Sequence, residues 1–268
     1  MKIVAYGGGT NSTAMIIGLV KKQLIPDLIL FSDTGGERPD TYNFIEMFSD
    51  WLEANGAPRV QKCHYITKDG VRLTLENDCL NRHTLPPIAF GFKSCSEKYK
   101  TRVIEKYCNS HPRCLEIWAS GEKVDKYIGY DAGETKRIEC HRIYDAKDKK
   151  YRMHYPLYEW EWNRDRCVHE IQSVGLPKPG KSSCFFCPSM KKAEIEALWK
   201  KYPDLFARAI EMEKNAIPNL DKIKGLGRNW SWSEYYNAIQ SQPEQLSMFD
   251  FDEEPIRCGC SIPCGCFD

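Results

Sequence analysis

Apolar and polar positions follow two different rhythms along the first half of this chain. Lys2 to Tyr6 holds a short apolar run of the kind a buried strand produces, and between Ser12 and Gln23 the residues Met15, Ile16, Leu19 and Val20 fall on one helical face. A second apolar run, Leu28 to Phe31, reads as a strand. Pro39 then stands where a first helical turn begins; Phe44, Ile45, Phe48, Trp51 and Leu52 recur at helical spacing, and Gly56 is placed to end that helix. The pattern further predicts a strand at Cys63 to Ile66, a helix at Glu97 to Cys108, and strands at Leu115 to Ala119 and Tyr127 to Tyr130. Strand and helix in turn imply parallel pairing through right-handed crossovers, so the expected fold class is α/β with a doubly wound, mainly parallel sheet.

After Pro156 and Leu157 the rhythm turns helical, with segments near Asn163 to Val174, Lys191 to Lys201, Pro203 to Lys214 and Ser233 to Gln240. The stretch Gly175 to Ser183, with its prolines and glycines, interrupts them. The expected organisation is an α/β nucleotide-binding domain over residues 1–157 and a helical, cysteine-rich C-terminal region over residues 158–268.

Composition changes this picture at one point only. With 38 Lys and Arg against 37 Asp and Glu, net charge gives no argument for a polyanionic partner. The opening apolar run is too short for a leader or a membrane span, which makes the cytoplasm the expected compartment and excludes a membrane partner. Thirteen cysteines are the outlier, an odd number and clustered, which in a reducing compartment points to metal or redox chemistry rather than disulfides. Cys63, Cys79, Cys108, Cys114 and Cys167 lie among apolar or helical residues and read as small buried hydrophobes.

Directly after the first strand come Gly7, Gly8 and Gly9, then Thr10, Asn11, Ser12 and Thr13. A glycine turn leading into a helix lets phosphate oxygens reach main-chain N–H groups at the helix N-terminus. The pattern is neither a Rossmann fingerprint nor a Walker loop. A turn whose hydroxyls merely cap the helix is the other reading.

Gly7 to Ser12 resembles the PP-loop, Ser-Gly-Gly-x-Asp-Ser, of the adenine nucleotide α-hydrolase superfamily, with Gly7 in place of the serine and Asn11 in place of the aspartate. The form here is similar to that of a bacterial and phage branch described as PAPS reductase-like. Asp33, Thr34 and Gly35, followed by Glu37, Pro39, Thr41 and Tyr42, resemble the superfamily's turn beside the nucleoside. The segments from Ser94 to Tyr107, Tyr127 to Ile138, Tyr155 to Trp162 and Lys181 to Lys192 resemble later motifs of that branch, in the same order. The resemblance implies ATP or PAPS as the nucleotide, with Mg2+, and places Lys100, Lys136, Arg137 and Glu134 near its phosphates, Lys100 and Arg137 offsetting charge that develops at phosphorus.

Cys184 and Cys187, two residues apart and followed by Pro188, can turn both sulfurs toward one metal; a redox pair or two core cysteines are the alternatives. The resemblance adds Cys95 as a third ligand, because iron–sulfur relatives carry a cysteine pair in the segment that here reads Cys95 and Ser96; three thiolates would leave one iron of a cluster open, or Cys140 or a tail cysteine such as Cys266 would close the site. A 4Fe–4S cluster is thereby implied, with Zn2+ as the alternative. Cys258, Cys260, Cys264 and Cys266 in the tail suit zinc ligation or thiol shuttling.

The favoured expectation is an enzyme that cleaves ATP at its α-phosphate to activate an acceptor for sulfur transfer. Its partners would be an adenine nucleotide, a nucleic-acid acceptor or a sulfur-donor protein, and a second copy of the chain. Reduction of PAPS is the alternative chemistry, although the Glu-Cys-Gly-x-His motif of the reductases is absent. A non-catalytic nucleotide-binding or metal-stabilised module is the alternative outside catalysis.

Overall fold

A computed structural model describes residues 1–241 of the chain. The first half runs β1 (Lys2–Tyr6), α1 (Thr10–Lys21), β2 (Leu28–Asp33), α2 (Pro39–Ala54), β3 (Val60–His64) and α3 (Leu75–Asn81). The short α4 (Ser94–Ser96) passes through a π-helical turn, Glu97–Thr101, into α5 (Arg102–Ser110), followed by α6 (Pro112–Ala119), β4 (Val124–Tyr127), α7 (Thr135–Asp145) and β5 (Tyr151–His154). The rest of the described residues are helical in character: α8 (Pro156–Glu159), α9 (Arg164–Gln172), α10 (Lys192–Lys201), α11 (Pro203–Ala216) and α12 (Trp232–Ser241).

All five strands are parallel, in the order β3-β2-β1-β4-β5, which makes the fold a doubly wound α/β sheet. The chain moves outward from β1 to β3 and then returns to place β4 on the other side of β1. The gap beyond the carboxyl ends of β1 and β4 is therefore a topological switch point, where such sheets bind ligands. Side chains alternate across the sheet as the pleat requires. Val4, Tyr6, Ile29 and Phe31 pack against α1, α2 and α9, whereas Ile3, Ala5 and Leu30 pack against Val103, Ile104, Cys108 and Cys114 of α5 and α6. Burial of each large side chain contributes about 1.5–3 kcal/mol, so the two faces together fix the strand register.

A second core lies apart from the sheet. It joins Leu75 and Cys79 of α3, Tyr99 of the π turn, Phe185 and Phe186, and apolar residues of α10, α11 and α12. Trp230 and Trp232 belong to this core, at 8% and 0% exposure, which leaves no ring face for stacking on a base. Helix α9, although it follows Leu157, packs on α1 and shares the first core through Cys167 and Ile171.

Three differences from the sequence pattern have physical causes. Leu115 to Ala119 is helix, not strand: Pro112 occupies the first helical turn, and the helix buries Cys114 while leaving Leu115 exposed. Strand β4 ends at Tyr127, earlier than the pattern placed it, because Gly129 must turn against the glycine loop. Helices α3 and α7 and strand β5 went unpredicted; Ile138 is the one buried apolar residue of α7, and β5 is a four-residue edge strand with Tyr151 buried.

Glu213 of α11 holds the second core shut. Its carboxylate is 0% exposed and accepts from the main-chain N–H of Leu226 (2.7 Å), Trp232 (2.8 Å) and Ser233 (3.0 Å) and from the Ser233 hydroxyl (2.7 Å). It thus caps α12 from another helix and fixes the connecting turn. Glu213→Gln sets an amide N–H2 against those donors. The expected loss is about 2–3 kcal/mol, or roughly 5–10 °C in Tm by circular dichroism; an unchanged Tm would show that the turn is held otherwise.

Candidate functional site

The glycine loop is shaped by what surrounds it. Gly8 has φ +75°, and a Cβ there would meet Phe31, the Ser182 hydroxyl and Thr41 at 3.3–3.4 Å. Gly129, just past β4, lies so near that a Cβ on it would stand 2.8 Å from Cα of Ser12. Bare main chain is thus required on both sides of the switch point. Ser12 and Thr13 both donate to the Gly9 carbonyl, and Thr13 also bonds the buried Tyr6 hydroxyl, so these two hydroxyls serve the loop's own structure. Thr10 Oγ1, by contrast, is buried at the first position of α1 without a hydrogen-bond partner. The first N–H groups of any helix also lack intrahelical acceptors, so this end of α1 has donors to offer an anion.

A cleft of about 550 Å³ opens beside Gly9. It is lined by Thr34 after β2, by Cys95, Ser96 and Lys100, by Arg164 at the start of α9, and by the loop from Lys178 to Cys184 with Cys187. Lys93, Lys100, Arg164, Lys178 and Lys181 bring positive charge to its wall, and among the described residues no carboxylate lines it. The near-neutral sequence therefore concentrates cations at one place, as an anionic ligand demands.

Lys100 rides on the π-helical turn, whose wider spacing is a recurrent feature of functional helices. Its ammonium lies 3.8 Å from Oε1 of Glu37, a residue whose side chain is 0% exposed. Burial disfavours the charge on Lys100, yet Glu37 and the sulfurs of Cys184, Cys187 and Cys95 outweigh it and hold the ammonium pKa above the usual lysine range. Burial raises the Glu37 pKa, against the pull of Lys100 and of the Ser182 hydroxyl that donates to it at 3.2 Å.

The cysteine loop is stitched to the turn after β2. Glu37 and Cys184 form an antiparallel bridge, Phe185 donates its N–H to the Gly36 carbonyl at 2.7 Å, and Thr34 Oγ1 lies 3.2 Å from Cys184 Sγ. Gly36 has to be glycine, because a Cβ would sit 2.8 Å from the Phe186 ring and 3.2 Å from Cβ of Cys184. The Cys187 N–H bonds the Cys184 carbonyl, which is the tight turn two residues of separation permits. Burial, then Glu37, pushes the Cys184 thiol well above its ordinary range; burial, then Cys187, raises Cys95. Metal would therefore have to displace thiol protons. Among the described residues no three His, Cys, Asp or Glu side chains gather tightly enough to hold a single metal ion. The thiols of Cys95, Cys184 and Cys187 all line the one cleft.

The structure thus brings together the loop, Thr34, Lys100, Cys95, Cys184 and Cys187, but not every expected residue. Asp33 accepts from the Gly35 N–H, the Tyr42 hydroxyl and Arg72, which makes it the brace of the turn. Glu134 and Arg137 are paired at 2.6 Å outside the cleft wall, with the guanidinium 4.0 Å from the Tyr130 ring centre. Lys136 and Cys140 lie on α7, also away from the cleft lining. Cys266, with the other tail cysteines, lies outside the described residues. Glu37 as the counter-ion, and Arg164, Lys178 and Lys181 as cleft cations, were missed; a buried acid and scattered cations carry no spacing signal in sequence.

No family model matches the chain. It is 22% identical over 241 residues, 86% of its length, to one uncharacterized protein of Methanocaldococcus jannaschii, and 26% identical over 239 residues, 85% of its length, to another. The chain spans about half the length of these curated relatives, 51% and 44%. Among solved structures it is similar to the U34-tRNA thiolase NcsA from Methanococcus maripaludis with its 4Fe–4S cluster, at 16% identity and a TM-score of 0.42, over 82% of this chain and 73% of that one. At that TM-score the likeness carries no argument about activity, and the chemistry of the cleft rests on its own residues. Among the described residues no helix is long and apolar enough to cross a membrane.

The Lys100–Glu37 pair gives the site a direct test. Lys100→Met strands a buried carboxylate and is expected to cost about 3–5 kcal/mol in urea denaturation, most of it recovered by adding Glu37→Gln. Additive losses in the double variant would show that the two charges do not depend on each other.

Proposed function

We propose that this chain is a PP-loop enzyme of the adenine nucleotide α-hydrolase type, which cleaves ATP at the α-phosphate to activate an acceptor for sulfur transfer. The observation that carries the reading is the meeting of the glycine loop, Lys100 and three cysteines in one cation-lined cleft. The main chain of Gly8 and Gly9 and the N-terminal turn of α1, with Thr10, would hold the phosphates of ATP brought in with Mg2+. Thr34 and Gly35 would lie along the nucleoside, and Lys100 would offset charge as pyrophosphate leaves. Tight packing of Gly36 against Phe186 and Cys184 keeps the thiols beside that centre. The acceptor in this reading is a nucleic-acid base or backbone, and the sulfur comes from a donor protein.

The donor set favours a polynuclear centre over zinc. Zinc needs its sulfurs about 2.3 Å from a single point, whereas a cluster takes each thiolate on a different iron. That Cys95, Cys184 and Cys187 line one cavity is what supports the second arrangement in this reading. A 4Fe–4S cluster bound by three protein thiolates supplies an iron at which inorganic sulfur can be held for transfer.

Anaerobic purification with iron and acid-labile sulfide analysis tests this. About four of each per chain are expected, with visible absorption that Cys95→Ala, Cys184→Ala or Cys187→Ala removes and Cys140→Ala leaves in place. Full iron retention in the first three variants would overturn the assignment. Pyrophosphate release from ATP is the expected reaction; sulfite release from PAPS would move the protein to the reductase reading.

A further inference from the structure

Asn11 sits in the first turn of α1, directly after the glycine loop, 4% exposed, and its amide is used at both ends. Nδ2 donates to Oδ2 of Asp131 at 2.9 Å, and Oδ1 accepts from Nη1 of Arg164 at 2.8 Å. The three residues come from three segments that converge at the switch point: the first turn of α1, the turn after β4 and the first residue of α9. Each anchor is independently fixed. Asp131 accepts the Gly133 N–H at 2.8 Å through its other oxygen, and the N–H of Ala132 bonds the Trp162 carbonyl at 2.9 Å, tying this turn to the start of α9. Asn163 caps α9 by accepting the Arg166 N–H at 2.9 Å, which fixes the position of Arg164.

Arg164 also lines the cleft beside Gly9. A guanidinium carries five N–H donors in a planar fork, and Asn11 engages one of its nitrogens. We infer that Arg164 is a polyphosphate-binding residue of this cleft, and that Asn11 and Asp131 are positioning residues that aim it. The inference rests on the nucleotide reading above and adds to it a specific cation and the reason for the amide at position 11.

A side-chain amide can donate to a carboxylate through its nitrogen and accept from a guanidinium through its oxygen at once. An aspartate at position 11 would face Asp131 as a like charge and bind Arg164 as a salt bridge, turning the loop against Asp131 and withholding Arg164 from the ligand. Exchanging the two groups preserves the pattern. In Asn11→Asp with Asp131→Asn, the new carboxylate accepts from both Arg164 and the new amide, while the amide oxygen still accepts from Gly133. The total charge is unchanged.

Calorimetric titration of the intact chain with α,β-methylene-ATP, which cannot be cleaved at the α-phosphate, and with adenosine separates the outcomes. Arg164→Ala is expected to weaken the analogue about 10- to 100-fold with adenosine unaffected, Arg164→Lys falling between, as the loss of a charge-assisted contact requires. N11D and D131N alone are each expected to weaken the analogue and lower the Tm; the N11D/D131N exchange is expected to recover the Tm, with the analogue still weakened because the carboxylate at position 11 holds Arg164 in a salt bridge. Analogue affinity unchanged in Arg164→Ala, or an exchange variant whose Tm is no higher than that of the worse single variant, would overturn the inference while the nucleotide site stands. A wild-type chain that binds neither ligand would overturn the nucleotide reading itself and this inference with it.

Discussion

Glu37 is where three stretches of chain, remote in sequence, are joined. Its carboxylate is fully buried at the turn after β2, faces Lys100 from the π-helical turn, accepts from Ser182, and its main chain bridges to Cys184. A buried carboxylate without a cation is strongly unfavourable, so the segment bearing Lys100 has to close onto this turn. The Cys184–Cys187 loop is carried in by the same residue. The cleft, its charge and the grouping of its thiols follow from that one constraint.

The sheet supplies the other half of the arrangement. Its strand order opens a crevice between β1 and β4, and the turn at Gly129 approaches the main chain of Asn11 and Ser12 too closely for a side chain. Asn11 bridges this gap. An anion placed here meets helix N–H groups on one side and cleft cations on the other, while the cysteines stand beside it. In the proposed reading, nucleotide binding and sulfur chemistry share this one cavity.

Much of this was legible in the sequence. The runs that form β1, α1, β2 and α2 are long and strongly periodic, and each begins and ends close to where hydrophobic spacing, Pro39 and the glycines place it. The loop, Thr34, Lys100 and the cysteine pair were visible as motifs because each is a local pattern. Elements with little apolar content, such as α7 and the edge strand β5, leave no such trace. The apolar run Leu115 to Ala119 misled because a short hydrophobic stretch fits strand and helix alike, and the proline before it decided the outcome. Glu37 and Arg164 acquire their meaning from partners 63 and 153 positions away respectively, which no local spacing encodes.

The most direct test is a crystal of the protein soaked with a non-cleavable ATP analogue. Polyphosphate density is expected against Gly7 to Thr13, within reach of Lys100 and Arg164. Density for the analogue at another place on the molecule, with the loop bare, would contradict the assignment of this cleft.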